Sequence, residues 1–454
     1  MSERYDSSIA FYLAQLLQQI RSTRFSDKDR RILRQHMLDA FAAAFIGSRG
    51  KVFQDLTQLC PKTSKGGVWP ASGPNRANVL DAGMLWAFAI NASVFEDGSR
   101  EGACHPAAAV ISTAIALSGG KSWEAIDKAA IAGYDVMVRL ARGGNPEFTR
   151  RGFHTTAITA PFGATATASL LLGYDLSTIQ NALCLAALCG AGLMSSFRSG
   201  ETQPLQVAWS VRSGIAAAMM AGADHSGYDH IIEDGFYPSY LGKTPEIPID
   251  QPLENEYAFQ GGYLKPYPGC RHVHPSIDAL AEILKENRIP SSQIKKIRVR
   301  TYKIAVETEI HTLNKRGDAY FNIPYALAAK VVLGRNDWDA FDEKYFKNEQ
   351  IVQLMKKIEV DVDPKIESNY PNQRGAMVEV DIGNGKTFYG EVSHPLGEPE
   401  KPLPFSMTVE KFRQAAESFL SERSLDRIEK IFDISGLTDS PEILFEILSE
   451  NKVA

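Results

Sequence analysis

The period of the apolar residues changes once along this chain, near residue 265, and that change dictates which layers it can build. From residue 1 to about 260, small and apolar residues recur at helical spacing between Gly, Pro and Asn breaks. Ser26 with Asp29 opens one such segment, which runs through Ile32, Leu33, Met37, Leu38, Phe41, Ala44 and Phe45 and stops at Gly47. The stretches 107–117, 125–140, 161–172, 181–193 and 207–220 read the same way, and their Ala and Gly content predicts closely approaching buried helices. Beyond residue 265, β-branched alternation predicts strands over 296–305, 357–362, 376–382 and 387–392, the last two joined by a Gly383-Asn384-Gly385 hairpin. Amphipathic stretches at 276–287 and 323–333 lie between the strands, and helical periodicity returns from Thr408. The fold expected is mainly α: an all-α domain over 1–264 with 405–454 packing back on it, and a smaller α+β domain over 265–404.

Composition narrows the function classes. The 454 residues carry 49 Lys+Arg against 54 Asp+Glu, and 44% are hydrophobic, so the chain can bury a large core and disorder is excluded. Near-balanced charge without a basic, aromatic-interleaved block gives no footprint for nucleic acid. No apolar run is long enough for a membrane span, and the polar start (Met1, Ser2, Glu3, Arg4, Tyr5, Asp6) lacks a secretory h-region, which points to the cytoplasm. Five cysteines without a C-x-x-C pair favour neither a disulfide framework nor a cysteine-rich zinc site.

Phosphate-loop, dinucleotide-loop and H-E-x-x-H motifs are absent, so nucleotide cofactors and a dedicated metal site are not expected. Three polar stretches at helix breaks remain. The first, Val94 to Pro106, places Glu96, Asp97 and Glu101 in a loop ending at His105-Pro106. Pro106 suits a first helical turn, so His105 stands at a helix N-terminus, where positive potential favours the neutral imidazole and hence a base. The plainer alternative is a capping histidine beside solvated carboxylates. In the second, Arg150-Arg151-Gly152-Phe153-His154-Thr155-Thr156 precedes another small-residue helix and could bind carboxylates, or could be a surface Arg pair beside a core histidine. The third crowds Lys265, Arg271, His272 and His274 among Pro266, Pro268 and Gly269 at the change of texture, which suggests an anionic pocket rather than a stiff linker alone. Cys104 and Cys270 are read as small buried fillers before nucleophiles.

These landmarks, with Gly133-Tyr134-Asp135 and Arg139, Phe162-Gly163-Ala164, Gly192-Leu193-Met194, Ala208 to Gly214, and Lys265-Pro266-Tyr267-Pro268 through Asp278, run in an order that resembles the MmgE/PrpD family over nearly the whole chain. That family includes 2-methylcitrate dehydratase, cis-aconitate decarboxylase and iminodisuccinate epimerase. The resemblance implies an all-α domain made from both chain ends, an α+β lid, a homodimer, a cleft between domains, and no metal or organic cofactor. It also implies proton removal beside a carboxylate or carbonyl, followed by loss of water, loss of carbon dioxide or reprotonation. Matched position by position, His105, His154, Lys265 and Tyr325 are its catalytic candidates, and Arg151, Arg271, His272, Gln203, Glu96 and Asp97 its substrate-binding ones.

Two departures stand out. Val94-Phe95-Glu96-Asp97-Gly98 occupies the place of an Asp-x-Asp-Asp-Thr-like run, and Gln203 in Thr202-Gln203-Pro204-Leu205-Gln206 replaces the lysine of a Lys-Pro-Leu-His pattern, the His being lost with it. Fewer cations predict a less charged substrate. The expected activity is a cofactor-independent lyase, by dehydration or decarboxylation. An epimerase or isomerase, or a family member that only binds a ligand, is the alternative.

Overall fold

A computed structural model of the chain describes residues 8–61, 76–243, 245, 249–383, 385–434 and 441–449. It divides into two units, Met1–Leu264 with Pro404–Ala454, and Lys265–Leu403. The molecule is mainly α, with an α+β portion.

The first unit is built on α1 (Ile9–Ser22), α2 (Asp27–Gly47), α3 (Lys51–Leu59), α4 (Val79–Ala92), α5 (Ala107–Ala116), α6 (Trp123–Gly144), α7 (Glu147–Arg150), α8 (Thr155–Leu172), α9 (Leu176–Ala186) and α10 (Leu205–Ala221). Ser26 caps α2 in a reciprocal box with Asp29, as the sequence pattern predicts. Helices α4, α5, α6, α8 and α10 are buried over most of their surface, which their small residues permit. Gly133 on α6 shows the requirement: a Cβ there would lie 2.1 Å from Thr167 Oγ1 of α8. The chain's last helices complete the same core. Phe412 and Phe432, from Phe405–Ala416 and Glu422–Phe432, pack on Phe45 and Phe41 of α2 with ring centroids 6.2 and 5.1 Å apart. Lys411 Nζ donates to Asp39 Oδ1 and to the Phe95 carbonyl, each at 2.6 Å, tying the C-terminal segment to α2 and to the polar loop.

The helix boundaries that depart most from the periodicity are those of α8 and α9. Helix α8 starts at Thr155 and runs through Pro161, because packing overrides the lost hydrogen bond: a Cβ on Gly214 of α10 would lie 2.4 Å from the Pro161 carbonyl. Helix α9 ends at Ala186, short of residue 193, because the following apolar residues turn extended and pair with 152–154: His154 N–H donates to Gly192 O (3.1 Å), Met194 N–H to Gly152 O (2.8 Å), and Phe153 bridges Leu193. A two-residue ribbon, β1 (Gly98–Ser99) with β2 (Gly262–Tyr263), pins the polar loop to the end of the unit's first long segment.

The second unit carries a four-stranded sheet of β3 (Lys296–Thr301), β4 (Ile358–Val362), β5 (Ala376–Asp381) and β6 (Thr387–Val392), in the order β4-β3-β5-β6. Strands β3 and β4 are parallel and the other pairs antiparallel, with Val299 opposite Val378 and Val360. The alternation puts Ile297, Val299 and Thr301 with Ala376, Val378 and Val380 on buried positions. Helix His274–Glu286 lies close against β6, where a Cβ on Gly390 would meet the Ala279 carbonyl at 2.1 Å. Strand β3 ends at Thr301 instead of residue 305, because Lys303–Glu307 forms a helix whose first N–H is taken by Glu367 Oε2 at 2.7 Å. The β5–β6 turn uses Gly383 and Gly385 at φ 76° and 70°. Asn384, and Met1 to Asp6 of the chain start, lie outside the described residues. Among the described residues no helix is long and apolar enough to cross a membrane.

Candidate active site

The polar loop between α4 and α5 is held from inside. Asp97 is fully buried; its Oδ1 accepts from Ala107 N–H (3.0 Å) and its Oδ2 from Tyr134 O–H (2.8 Å) and His36 Nδ1 (3.0 Å). Burial pushes this carboxyl up, but the bonds from His36, Tyr134 and Ala107 outweigh it and hold Asp97 below the usual carboxylate range. Glu96 is also buried and accepts from Asn91 Nδ2 at 2.9 Å. Val94 and Ala103, at φ 51° and 48°, take left-handed backbone that non-glycine residues avoid, so the loop shape carries local strain of the kind found at functional sites.

This scaffold aims His105. Its Nδ1 lies 2.6 Å from the Asp97 carbonyl, an oxygen that can only accept, so Nδ1 carries the proton and Nε2 keeps its lone pair. Glu96 Oε1 is 3.9 Å from the same Nδ1, well placed to stabilise an imidazolium. The His105 N–H donates to Thr156 Oγ1 (3.1 Å), which joins the start of α5 to the first turn of α8. Two helix N-termini thus come together, and each contributes positive potential that favours an anion.

His154 is the residue before α8, with 6% of its surface exposed. Its Nδ1 is 2.8 Å from Gln206 Nε2, and its ring meets Phe197 edge-on at 5.1 Å. Burial, then the charge of His105, lowers its pKa to about 3, so the ring is neutral at ordinary pH. Gly152, at φ 91°, makes the turn that delivers His154 here. Gln203 sits just before α10, nearly buried, its side-chain amide without a hydrogen-bond partner among the described residues. Arg151 is exposed, with its guanidinium beside Gly242.

In the second unit Lys265 is buried. His272 Nδ1 pairs with Tyr302 O–H at 2.7 Å, and its pKa is lowered to about 3 by desolvation and then by Arg374 and Arg271. Arg271, expected to hold an anion, has its buried guanidinium on Glu398 Oε1 (3.0 Å), the Leu396 and Pro395 carbonyls (3.0 and 3.3 Å) and His274 Nδ1 (3.0 Å). Tyr325, expected as an acid or donor, also has an internal partner. It is fully buried and its hydroxyl donates to the Ala340 carbonyl at 2.6 Å, which leaves no proton directed at a ligand. Asp97, expected to touch substrate, has both carboxylate oxygens on protein donors, and its carbonyl meets His105 Nδ1. Burial raises the thiols of Cys104 and Cys270, so neither is an activated nucleophile.

Within the first unit the structure therefore joins Glu96, Asp97, His105 and His154 around the starts of α5 and α8. Thr156, from the second polar stretch, belongs to this cluster, as do Asn91, Ser196 and Gln206, which were not among the sequence candidates. No local spacing marks them; the Thr-Thr after His154 and the Gln in place of a family His were the available signals.

This arrangement of helices and histidines belongs to a recognised class. The MmgE/PrpD N-terminal domain model matches residues 12–247 and the MmgE/PrpD C-terminal domain model matches residues 267–435. The chain is a member of the MmgE/PrpD family. It is 25% identical over 420 residues to the cis-aconitate decarboxylase of Homo sapiens, covering 87% of this chain and 85% of that protein. It is 23% identical to that of Aspergillus terreus (90% and 89% covered) and 22% identical to that of Mus musculus (95% and 93% covered).

Proposed function

We propose that the protein is a cofactor-independent lyase for a small carboxylic acid, with loss of carbon dioxide the favoured reaction. The observation that carries this reading is the His105 ring, pinned through Nδ1–H on the Asp97 carbonyl, where two helix N-termini favour an anion. The names of the relatives support decarboxylation. In that reaction the bond to the departing carboxylate breaks, carbon dioxide leaves, and the carbanion must be protonated. Protonated His105 Nε2 is the donor, and Glu96 stabilises its charge beforehand. In a dehydration the same nitrogen takes the proton first. His154 stands as the second group of the site and Gln203 as a neutral substrate contact.

A homodimer is part of the proposal. Leu188, Leu193, Phe197, Trp209 and Met220 are 68%, 55%, 41%, 54% and 47% exposed, and Trp209 and Met220, eleven positions apart, share one stripe of α10. Large apolar side chains so exposed support a second copy as their cover. The activity is tested by incubating chelator-treated protein with cis-aconitate, citrate-like and C4–C6 dicarboxylates, reading carbon dioxide release and product by NMR. Turnover of at least one acid is expected. Tight binding without turnover of any would overturn the lyase reading in favour of a ligand-binding member.

A further inference from the structure

Three hydrogen bonds leave the Gln206 side chain a single orientation. Leu193 N–H donates to Oε1 at 2.9 Å, which identifies the oxygen end. The two hydrogens of Nε2 then go to Ser196 Oγ and His154 Nδ1, each at 2.8 Å. A ring nitrogen that accepts a hydrogen bond cannot carry a proton, so the proton of the neutral ring sits on Nε2. His105 is the opposite case: a carbonyl, not an amide N–H, meets its Nδ1.

We propose that Gln206 is a positioning residue that fixes His154 as its Nε2–H tautomer, making His154 a hydrogen-bond donor to the oxyanion rather than a second base. The oxyanion role rests on the lyase reading above; the tautomer does not. Two histidines at one site thereby acquire different tasks from their partners alone: the carbonyl of Asp97 puts the His105 proton on Nδ1, and the amide of Gln206 puts the His154 proton on Nε2. Burial keeps the second ring neutral, and His105 is the titratable neighbour whose charge reinforces this.

The test uses full-length, histidine-15N-labelled protein without substrate, in long-range 1H–15N correlation spectra, with His154 assigned by its loss in His154→Asn. The wild type is expected to show an unprotonated Nδ1 and a protonated Nε2 for His154, unchanged on mild acidification. In Gln206→Glu a carboxylate accepts where an amide donated, so the pattern is expected to invert and turnover to fall by about 100-fold or more, the scale of a lost general acid or wrong tautomer. Gln206→Leu is expected to give mixed tautomers. A wild-type Nδ1–H signature would overturn the proposal even if no variant folded. An unaltered pattern in Gln206→Glu would also overturn it, as would an inversion that left turnover intact. The expected tautomer in a protein that turns over no carboxylate would instead sink the lyase reading and leave the role of Gln206 in place.

Discussion

At the scale of single residues, the site depends on which partner each imidazole meets, and His154 makes this measurable as stability. Its pKa of about 3 in the folded chain lies below the ordinary value of 6.5 that the unfolded chain restores. Between those values the unfolded state binds a proton that the native state refuses. Stability is therefore complete above about pH 6.5 and declines as pH falls toward 3, by at most ~1.4 kcal/mol per pH unit from this group. Urea denaturation from neutral pH to about pH 4 should show this slope in the wild type and a shallower one in His154→Gln; parallel curves would contradict the buried neutral ring.

At the scale of elements, the helix Phe405–Ala416 is joined to α2 and to the polar loop through Lys411, a buried cation on a buried carboxylate. Burial, offset by Lys411, raises Asp39. Removing the cation alone strands that carboxylate, so Lys411→Ala should lose about 3–5 kcal/mol in chemical denaturation, whereas Asp39→Leu with Lys411→Met should lose much less. An equal loss in both would show that packing, not charge, holds the helix. Much of this level was legible in sequence. The capping box of α2, the burial-matched alternation of β3 and β5, and the stripes of α5, α6 and α10 follow from local spacing. What spacing could not show are features decided by contacts: α8 running through Pro161, α9 yielding to an extended pairing at 192–194, and the internal partners of Arg271 and Tyr325. His105 and His154 were legible because each precedes a helix; Gln206 was not, because it lies 52 residues from the ring it orients.

At the scale of the whole molecule, the first unit closes only when the chain's end returns to its beginning. A chain cut after Leu403 would leave Phe41 and Phe45 without Phe432 and Phe412, and should not show the cooperative unfolding transition of that unit. Retention of that transition would contradict the shared core. Sedimentation velocity is expected to report a dimer, and Trp209→Glu with Met220→Glu to shift it toward monomer; unchanged sedimentation would place the interface elsewhere. In the proposed reaction His105 moves a proton at carbon. The most direct measurement is deuterium incorporation into the product carbon in deuterated water, comparing wild type with His105→Asn on the acid that the wild type turns over. One solvent-derived deuterium per wild-type turnover is expected, with a rate lower by about 100- to 10,000-fold in the variant. A variant that labels and releases product at the wild-type rate would contradict it.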